Sequence, residues 1–430
     1  MIDRKLLREN PELVRQSIAN KGFDPIILDR VLPLDSEVRE LEAELQDLRT
    51  ARNLAAQNGP DGAEEGKLIK QKLGVLEERF NAATTELEIL MKQIPNLALA
   101  SVPVGASEAD NIVIRQVGQK PEFDFQPKPH WELGVALNII DNERAAKVSG
   151  ARFTYLKGRL ALLQFALIQY VFSIVTNEQK LQEIITSANL NVPATPFIPV
   201  VPPVFIKPEM YDKMARLEPK DERYYMPADD LFLIGSAEHT LGAMHADEVL
   251  PEESLPLRYI GYSTAFRREA GSYGKDTKGI LRLHQFDKLE LESFSTKEQS
   301  VAEQDFFVAI EEYIVNSLGL PYQVLEKCTA DIGDPDARGF DIETWMPGQG
   351  VYRETHTADL MTDYQARRLK TRVKRTSGEN EFVHMNDATA TAIGRTLIAI
   401  MENYQQSDGS INVPEALVPF CGFSVISGGE

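Results

Sequence analysis

Cysteine is scarce: Cys328 and Cys421 are the two in 430 residues. Two thiols build neither a disulfide framework nor a cysteine-rich zinc site. Positive charge is also in short supply, with 46 Lys and Arg against 65 Asp and Glu and a formal net charge of -19. That deficit excludes a generally basic nucleic-acid binder, so any nucleic acid has to be met locally. The sequence shows no uninterrupted apolar run long enough to span a bilayer, and its opening MIDRKLLRENPELV is charged where a signal peptide has an apolar core. The expectation is a cytoplasmic protein without a membrane partner. Neither a GxxxxGK[ST] loop nor a strand-linked GxGxxG occurs, which removes P-loop and Rossmann sites from consideration.

What is present is organised by periodicity. A chain of 430 residues is long enough for two or three domains. From residue 34 the apolar positions run Leu34, Val38, Leu41, Leu45 and Leu48, and they resume at Ile69, Leu73, Leu76, Phe80, Ala83, Leu87, Leu90 and Ile94. Alternating steps of three and four are heptad seams. NGPDG breaks the helix between them, so the two segments fold back as an antiparallel hairpin that ends at Pro95. At 1.5 Å per residue this makes an arm of about 35 to 45 Å, too narrow to be a core. The pattern alone fits a dimerisation coiled coil as well as a binding arm. Residues 101–130 carry the proline-rich QKPEFDFQPKPH and read as a linker between a helical domain, 1–100, and a second domain, 131–430.

In the second domain strand-like and helical segments alternate without a βαβ rhythm. LALLQFALIQYVFSIVTNEQKL reads as an apolar helix, LFLIGSAEHTL as a strand, and TAIGRTLIAIMENYQ as a helix with Ile393, Leu397, Ile400, Met401 and Tyr404 on one face. The mixture predicts an α+β domain around an antiparallel sheet. From Ile280, period two places Leu281, Leu283, Leu289 and Leu291 on one side and Arg282, His284, Lys288, Glu290 and Glu292 on the other. With YIGYSTAFRRE before it, where Arg267 and Glu269 share a side, the segment predicts a long hairpin with one dry and one charged face. Such a face is either plain solvated surface or an array suited to a substrate that carries both phosphate and ammonium.

Several segments in order resemble seryl-tRNA synthetases, a family of class II aminoacyl-tRNA synthetases. FRREAGSYGKDTKGILRLHQFDKLE is similar to the family's second signature motif. WMPGQGVYRE with TDYQARRLKTR resembles the segment before the third motif, and GRTLIAIMENYQQSDGSINVPEALVPF resembles that motif and the C-terminal end. The resemblance extends over essentially the whole chain. It implies an antiparallel-sheet class II catalytic domain with an N-terminal coiled-coil arm for tRNA, a cytoplasmic homodimer, and ATP with Mg2+. It further implies a serine–tRNA ligase that makes seryl-adenylate and loads tRNA(Ser), with tRNA(Sec) as a further candidate.

Site residues follow from that resemblance. Arg267 and Glu269 take the places of the ATP-binding Arg-x-Glu, with Arg268 between them, and Arg395 that of the third-motif arginine; Arg267 and Arg395 are the expected catalytic pair. Glu354, Thr355, His356 and Thr357 fall on the ATP segment, with Glu354 also the expected metal ligand. Ser236, Ala237 and Glu238 correspond to the family's Thr-Ala-Glu. With Glu290, Thr389 and Arg267 they form the expected serine site, while the apportioning of ammonium and hydroxyl between the two glutamates stays open. The loop following Glu269, bearing glycines and lysines, is expected to close over adenine and the acceptor end of tRNA.

Three features depart from the family. Asp387, Ala388, Thr389 and Ala390 stand where NGSG is usual, adding a charge beside the serine site. ETHTADL replaces EISSCSN and introduces His356. Between Ser36 and Gln93 there are twelve acidic and eight basic residues, so tRNA contact requires Arg39, Arg49, Arg52, Lys67, Lys70, Lys72 and Arg79 to act locally. The first two departures also fit a synthetase-like paralogue that activates another amino acid or loads a non-tRNA acceptor. A non-catalytic binding protein on the same fold is the remaining alternative.

Overall fold

The computed structural model describes residues 1–269 and 278–428. The chain divides into two compact units, Met1–Ala98 and Leu99–Glu430.

In the first unit, helices α1 (Ile27–Gln57) and α2 (Ala63–Met91) pair along the expected seam. Val38, Leu41 and Leu45 are buried against Ile69, Leu73, Leu76, Ala83, Leu87 and Leu90. Each large side chain so buried contributes about 1.5–3 kcal/mol. Arg49 reaches Glu77 at 3.0 Å and Arg79 reaches Glu37 at 3.2 Å, tying the helices on their solvent side. The turn Gly59–Gly62 needs its last glycine, because a Cβ there would lie 2.0 Å from the carbonyl oxygen of Ala55. Near the base, Arg4 and Arg8 both hold the buried Asp35, at 2.5 and 3.2 Å.

The second unit is built on an eight-stranded sheet. Its strands in chain order are β1 (Ile112–Val117), β2 (Ile198–Val200), β3 (Leu257–Phe266), β4 (Gln285–Ser295), β5 (Tyr322–Glu326), β6 (Arg338–Met346), β7 (Val351–Thr362) and β8 (His384–Ala392). They lie in the order β1-β5-β6-β7-β8-β4-β3-β2, antiparallel throughout except that β2 runs parallel to β3. Helices α3 (Gly158–Val175), α4 (Ser300–Ser317) and α5 (Ile393–Asn403) contribute to one large core with the sheet. Leu163, Leu167, Phe306, Ile310, Leu397 and Ile400 meet Leu289, Leu291, Ile342 and Ala358 there. A smaller core of Ala237, Leu241, Tyr259, Phe294, Met361 and Met385 packs elsewhere on the sheet.

Three expectations change. Strand β1 lies within the segment expected as a linker, residues 101–130. Its β-branched IVIRQV pairs with β5 and extends the sheet, so this stretch belongs to the second unit. The hairpin of β3 and β4 forms, but β4 starts at Gln285 rather than near Ile280, and β3 ends at Phe266. Arg267 and Glu269 therefore follow the strand, and Glu269 adopts φ 53°, which breaks their shared side. LFLIGSAEHTL keeps a strand only over Leu231–Leu233 and then turns into the short helix Glu238–Leu241. Helix α3 is long and apolar enough by composition to cross a membrane, but it is interrupted by Arg159, Gln164 and Gln169 and half of it is buried within the fold, as in a core helix. The loop expected over adenine and the acceptor end, residues 270–277, lies outside the described residues.

Candidate active site

A cavity of about 470 Å3 opens on the face of the sheet away from the large core. Strand β4 explains why: Leu289 and Leu291 enter the core, so Lys288, Glu290 and Glu292 must face the other way. That face is charged but not solvated, since Glu290 and Glu292 have no exposed surface. The solvated-face alternative is thereby removed.

Two guanidinium groups line the cavity. Arg267 is held by donation from Nε to the Gly235 carbonyl at 3.1 Å, and its guanidinium lies 5.4 Å from the centre of the Phe286 ring. Arg395, in the first turn of α5, donates from Nη1 to the Glu354 carbonyl at 2.9 Å and lies 3.0 Å from the Glu354 carboxylate. Burial raises the Glu354 carboxyl, but Arg395 and Lys327 outweigh it and hold the group below its usual range. Glu269 meets Arg282 at 2.8 Å. The cavity wall thus carries fixed positive charge beside an ionised carboxylate, an arrangement that binds phosphates and, through the carboxylate, a hard cation.

The deeper end is rich in carboxylates. Glu238, Glu290 and Asp387 bring oxygens within 4.8 Å of one another. Lys288 contacts Glu290 at 2.8 Å, and Arg216 contacts Glu238 at the same distance. Burial pushes Glu238 up, yet Arg216 and His239 prevail and leave it well below the usual carboxylate range. Glu290 goes the other way, pushed up to about 7 by burial, with Glu238 adding to the rise against Lys288. Burial and then Glu238 also raise Asp387 well above its ordinary value. Register alignment accounts for the crowding: Glu292, Asp387 and Asp359 are direct cross-strand neighbours on β4, β8 and β7. Lys327 balances the far end of the row at 2.7 Å from Asp359.

The expected site residues divide accordingly. Arg267, Glu269, Glu354, Thr355, Thr357, Arg395, Glu238 and Thr389 all line the cavity. Ser236 and Glu290 lie just behind Lys288, whose Nζ is 3.4 Å from the Ser236 hydroxyl. Ala237 is buried in the smaller core instead. Arg268 points to a neighbouring cavity of about 590 Å3, over the Tyr224 ring at 4.9 Å. His356 does not line the site. An irregularity beside Glu354 keeps Thr355 and Thr357 on the cavity wall and turns His356 toward Ile342, where it is 1% exposed and pushed down to about 3 by burial. It is neutral and bonded to the Thr355 hydroxyl at 2.8 Å. In the first unit Arg39, Arg49, Arg52, Lys67, Lys70 and Lys72 are all exposed, Arg49 being engaged with Glu77.

Comparison with known proteins turns this geometry into a family. Residues 1–98 match the family model described as the seryl-tRNA synthetase N-terminal domain, and residues 223–404 match the tRNA synthetase class II core domain (G, H, P, S and T). A serine–tRNA ligase of Thermotoga neapolitana is 41% identical over 440 residues, covering 99% of this chain and 100% of that protein. The chain belongs to the seryl-tRNA synthetase family. A seryl-tRNA synthetase from Pyrococcus horikoshii, solved in complex with ATP, superposes with a TM-score of 0.90 at 35% identity over the full length of both chains. The cytoplasmic serine–tRNA ligase of Naegleria fowleri, in complex with AMP, gives 0.86 at 30% identity, covering 100% of this chain and 99% of that one. The α+β class II architecture and the aminoacyl-tRNA ligase reading of the sequence both stand.

Within this seryl-tRNA synthetase fold, several residues at the site escaped the sequence reading. Arg216 and Arg223 line the cavity from outside every quoted segment, while His239, Arg282 and Asp359 line it from within quoted segments that gave them no site role. His239 accepts from the Gly235 N–H at Nδ1, 3.1 Å away, which leaves Nε2 to face Glu238 at 3.4 Å. Its adjacency to Glu238 in GSAEH was the one available signal.

Proposed function

We propose that the cavity activates L-serine with ATP and passes it to the 3′-terminal adenosine of tRNA(Ser). The observation that carries this reading is the polarity of the site. Fixed guanidiniums stand where phosphates would lie, and a buried carboxylate cluster stands where an ammonium and a hydroxyl would be read.

The serine carboxylate attacks the α-phosphate of ATP, forming the mixed anhydride and releasing pyrophosphate. Charge on the α-phosphoryl oxygens grows in that step, and Arg267 is held ready to meet it without reorganising. Arg395, fixed by Glu354, is assigned to the more distant phosphates. The tRNA ribose hydroxyl then displaces AMP. Glu354 has the oxygen donors and the ionised state that suit Mg2+, and would hold it where it would supply neutralising charge to the phosphates. Glu238, kept ionised, is assigned to the serine site with Glu290, Ser236 and Thr389. A site that hydrogen-bonds a hydroxyl rejects alanine, because its buried partners would be left unpaired.

The arm, α1 and α2, is assigned to tRNA, with tRNA(Sec) as a second substrate, and the active form to a cytoplasmic homodimer. Support for a dimer comes from apolar side chains left exposed on the second unit, Leu162 and Phe165 on α3 and Ile198 on β2. The decisive experiment is ATP–pyrophosphate exchange with each of the twenty amino acids, followed by charging of tRNA(Ser) and tRNA(Sec) transcripts. Exchange restricted to serine is expected. Exchange with a different amino acid would transfer the assignment to a paralogue, for which the extra carboxylate of Asp387 is the structural motive.

A further inference from the structure

Arg216 lies between the helix Pro208–Lys213 and the short 3-10 turn Lys220–Glu222, outside the residues matched to the class II core. Its side chain is 18% exposed, and it touches three carboxylates from three separate parts of the chain. Nε lies 2.8 Å from Glu238, and Nη2 donates to Asp387 at 3.3 Å and to Asp336 at 3.4 Å. Glu238 begins a four-residue helix, Asp336 sits in a turn before β6, and Asp387 is on β8. The backbone places these segments, with Ala337 N–H donating to the Leu360 carbonyl on β7 beside β8; the shared cation orients their carboxylates. A guanidinium offers a rigid planar fork with donors in fixed directions, where an ammonium is a compact point charge on a flexible stem.

We propose that Arg216 is a positioning residue for the amino acid: by clamping Glu238, Asp336 and Asp387 together it sets both the orientation of Glu238 and the negative charge left for the substrate ammonium. Asp387 gives the arrangement its purpose. Where the family usually has asparagine this chain has a third acid, and Arg216 is the cation that faces it. Glu290 has Lys288 for the same task. The ammonium therefore meets carboxylates that are already oriented.

The proposal rests on the serine-activation reading, and exchange kinetics separate the two. Failure of the unaltered enzyme to exchange any amino acid overturns both; exchange by the unaltered enzyme with the wrong variant pattern overturns only this one. Arg216→Gln is expected to raise the serine KM by about tenfold or more while kcat and the ATP KM stay within about threefold. Arg216→Lys retains the charge but not the planar fork that spans the three carboxylates, so the same amino-acid-only rise is expected; it also carries the test if the glutamine variant does not fold. In a Glu238→Gln background the Arg216→Gln change should add less than about threefold, because the two act as a unit. An unchanged serine KM in the lysine variant, a parallel rise in the ATP KM, or full additivity with Glu238→Gln overturns the clamp.

Discussion

Arg267 and Glu290 show how much one side chain's neighbours decide. Arg267 is held by the Gly235 carbonyl and the Phe286 ring, and it lines an open cavity. Arg267→Ala should therefore lower serine-dependent exchange by about 10²-fold or more, the loss typical of a missing preorganised donor. Its melting temperature should stay close to that of the unaltered protein; normal exchange would remove Arg267 from the mechanism. Glu290 carries a pH dependence whose sign follows from its raised value of about 7. An acid raised by folding keeps its proton in the fold where the unfolded chain has lost it. Its stabilising contribution is thus greatest below the usual carboxylate range and declines as pH climbs to about 7. Binding has the opposite sign, since an ammonium needs the ionised form, so kcat/KM for serine should rise as pH passes through about 7. Asp359 and Asp341, at about 6 and about 7, titrate nearby in the Lys327 cluster. Glu290→Gln should flatten the serine profile, and a profile unchanged in that variant would assign the rise to them instead. Period-two reading put Lys288, Glu290 and Glu292 on a common face. It had no means to tell that the face is buried, because burial there comes from residues far away in the chain, Arg216 among them.

Elements were legible in proportion to how local their causes are. The heptads of α1 and α2 are set by contacts between segments joined by one turn, and ten of the thirteen expected seam positions are buried as read, Leu34, Leu48 and Phe80 being half-buried. Strand ends were less legible. The pattern of alternating leucines continued back to Ile280, but pairing with β3 stops at the Gln285–Phe266 register pair, and pairing is a property of two strands. The turn of GSAEHTL into a helix places Glu238 at its start, which no period in so short a stretch could reveal. The arm also separates two functions. Lys67, Lys70 and Lys72 are exposed on α2, distant in sequence from every residue that lines the cavity. Replacing all three with glutamate should leave serine-dependent exchange unchanged and reduce tRNA charging by about tenfold or more, with a shallower salt dependence of tRNA binding. A charging rate unaffected at low and moderate salt would show that phosphate contacts lie elsewhere on the chain.

At the scale of the whole molecule, the net charge of -19 and the apolar face of α3 ask for different explanations. The acidic total is consistent with a protein that meets tRNA only at local cations and otherwise repels nucleic acid. The exposed apolar face is not a solubility device. One side of α3 supplies Leu160, Leu163, Leu167 and Val171 to the core, yet Leu162 and Phe165 are 54% and 55% exposed on the other. On the parallel edge of the sheet Ile198 is 47% exposed, and Val201 beyond it is 81% exposed. Exposed apolar side chains mark an interaction surface where they form one patch, and a stable dimer buries about 800 Å2 on each partner. The charge on each chain makes a second copy a costly partner unless the contact is apolar, as a contact through Leu162 and Phe165 would be. Replacing Leu162 and Phe165 with aspartate should then convert a dimer to a monomer in sedimentation equilibrium. Neither side chain belongs to the core, so circular dichroism of the variant should match the unaltered protein. If the unaltered chain sediments as a monomer, the dimer is wrong and the face needs another partner. If the variant stays dimeric with its fold intact, the subunits meet through a different surface.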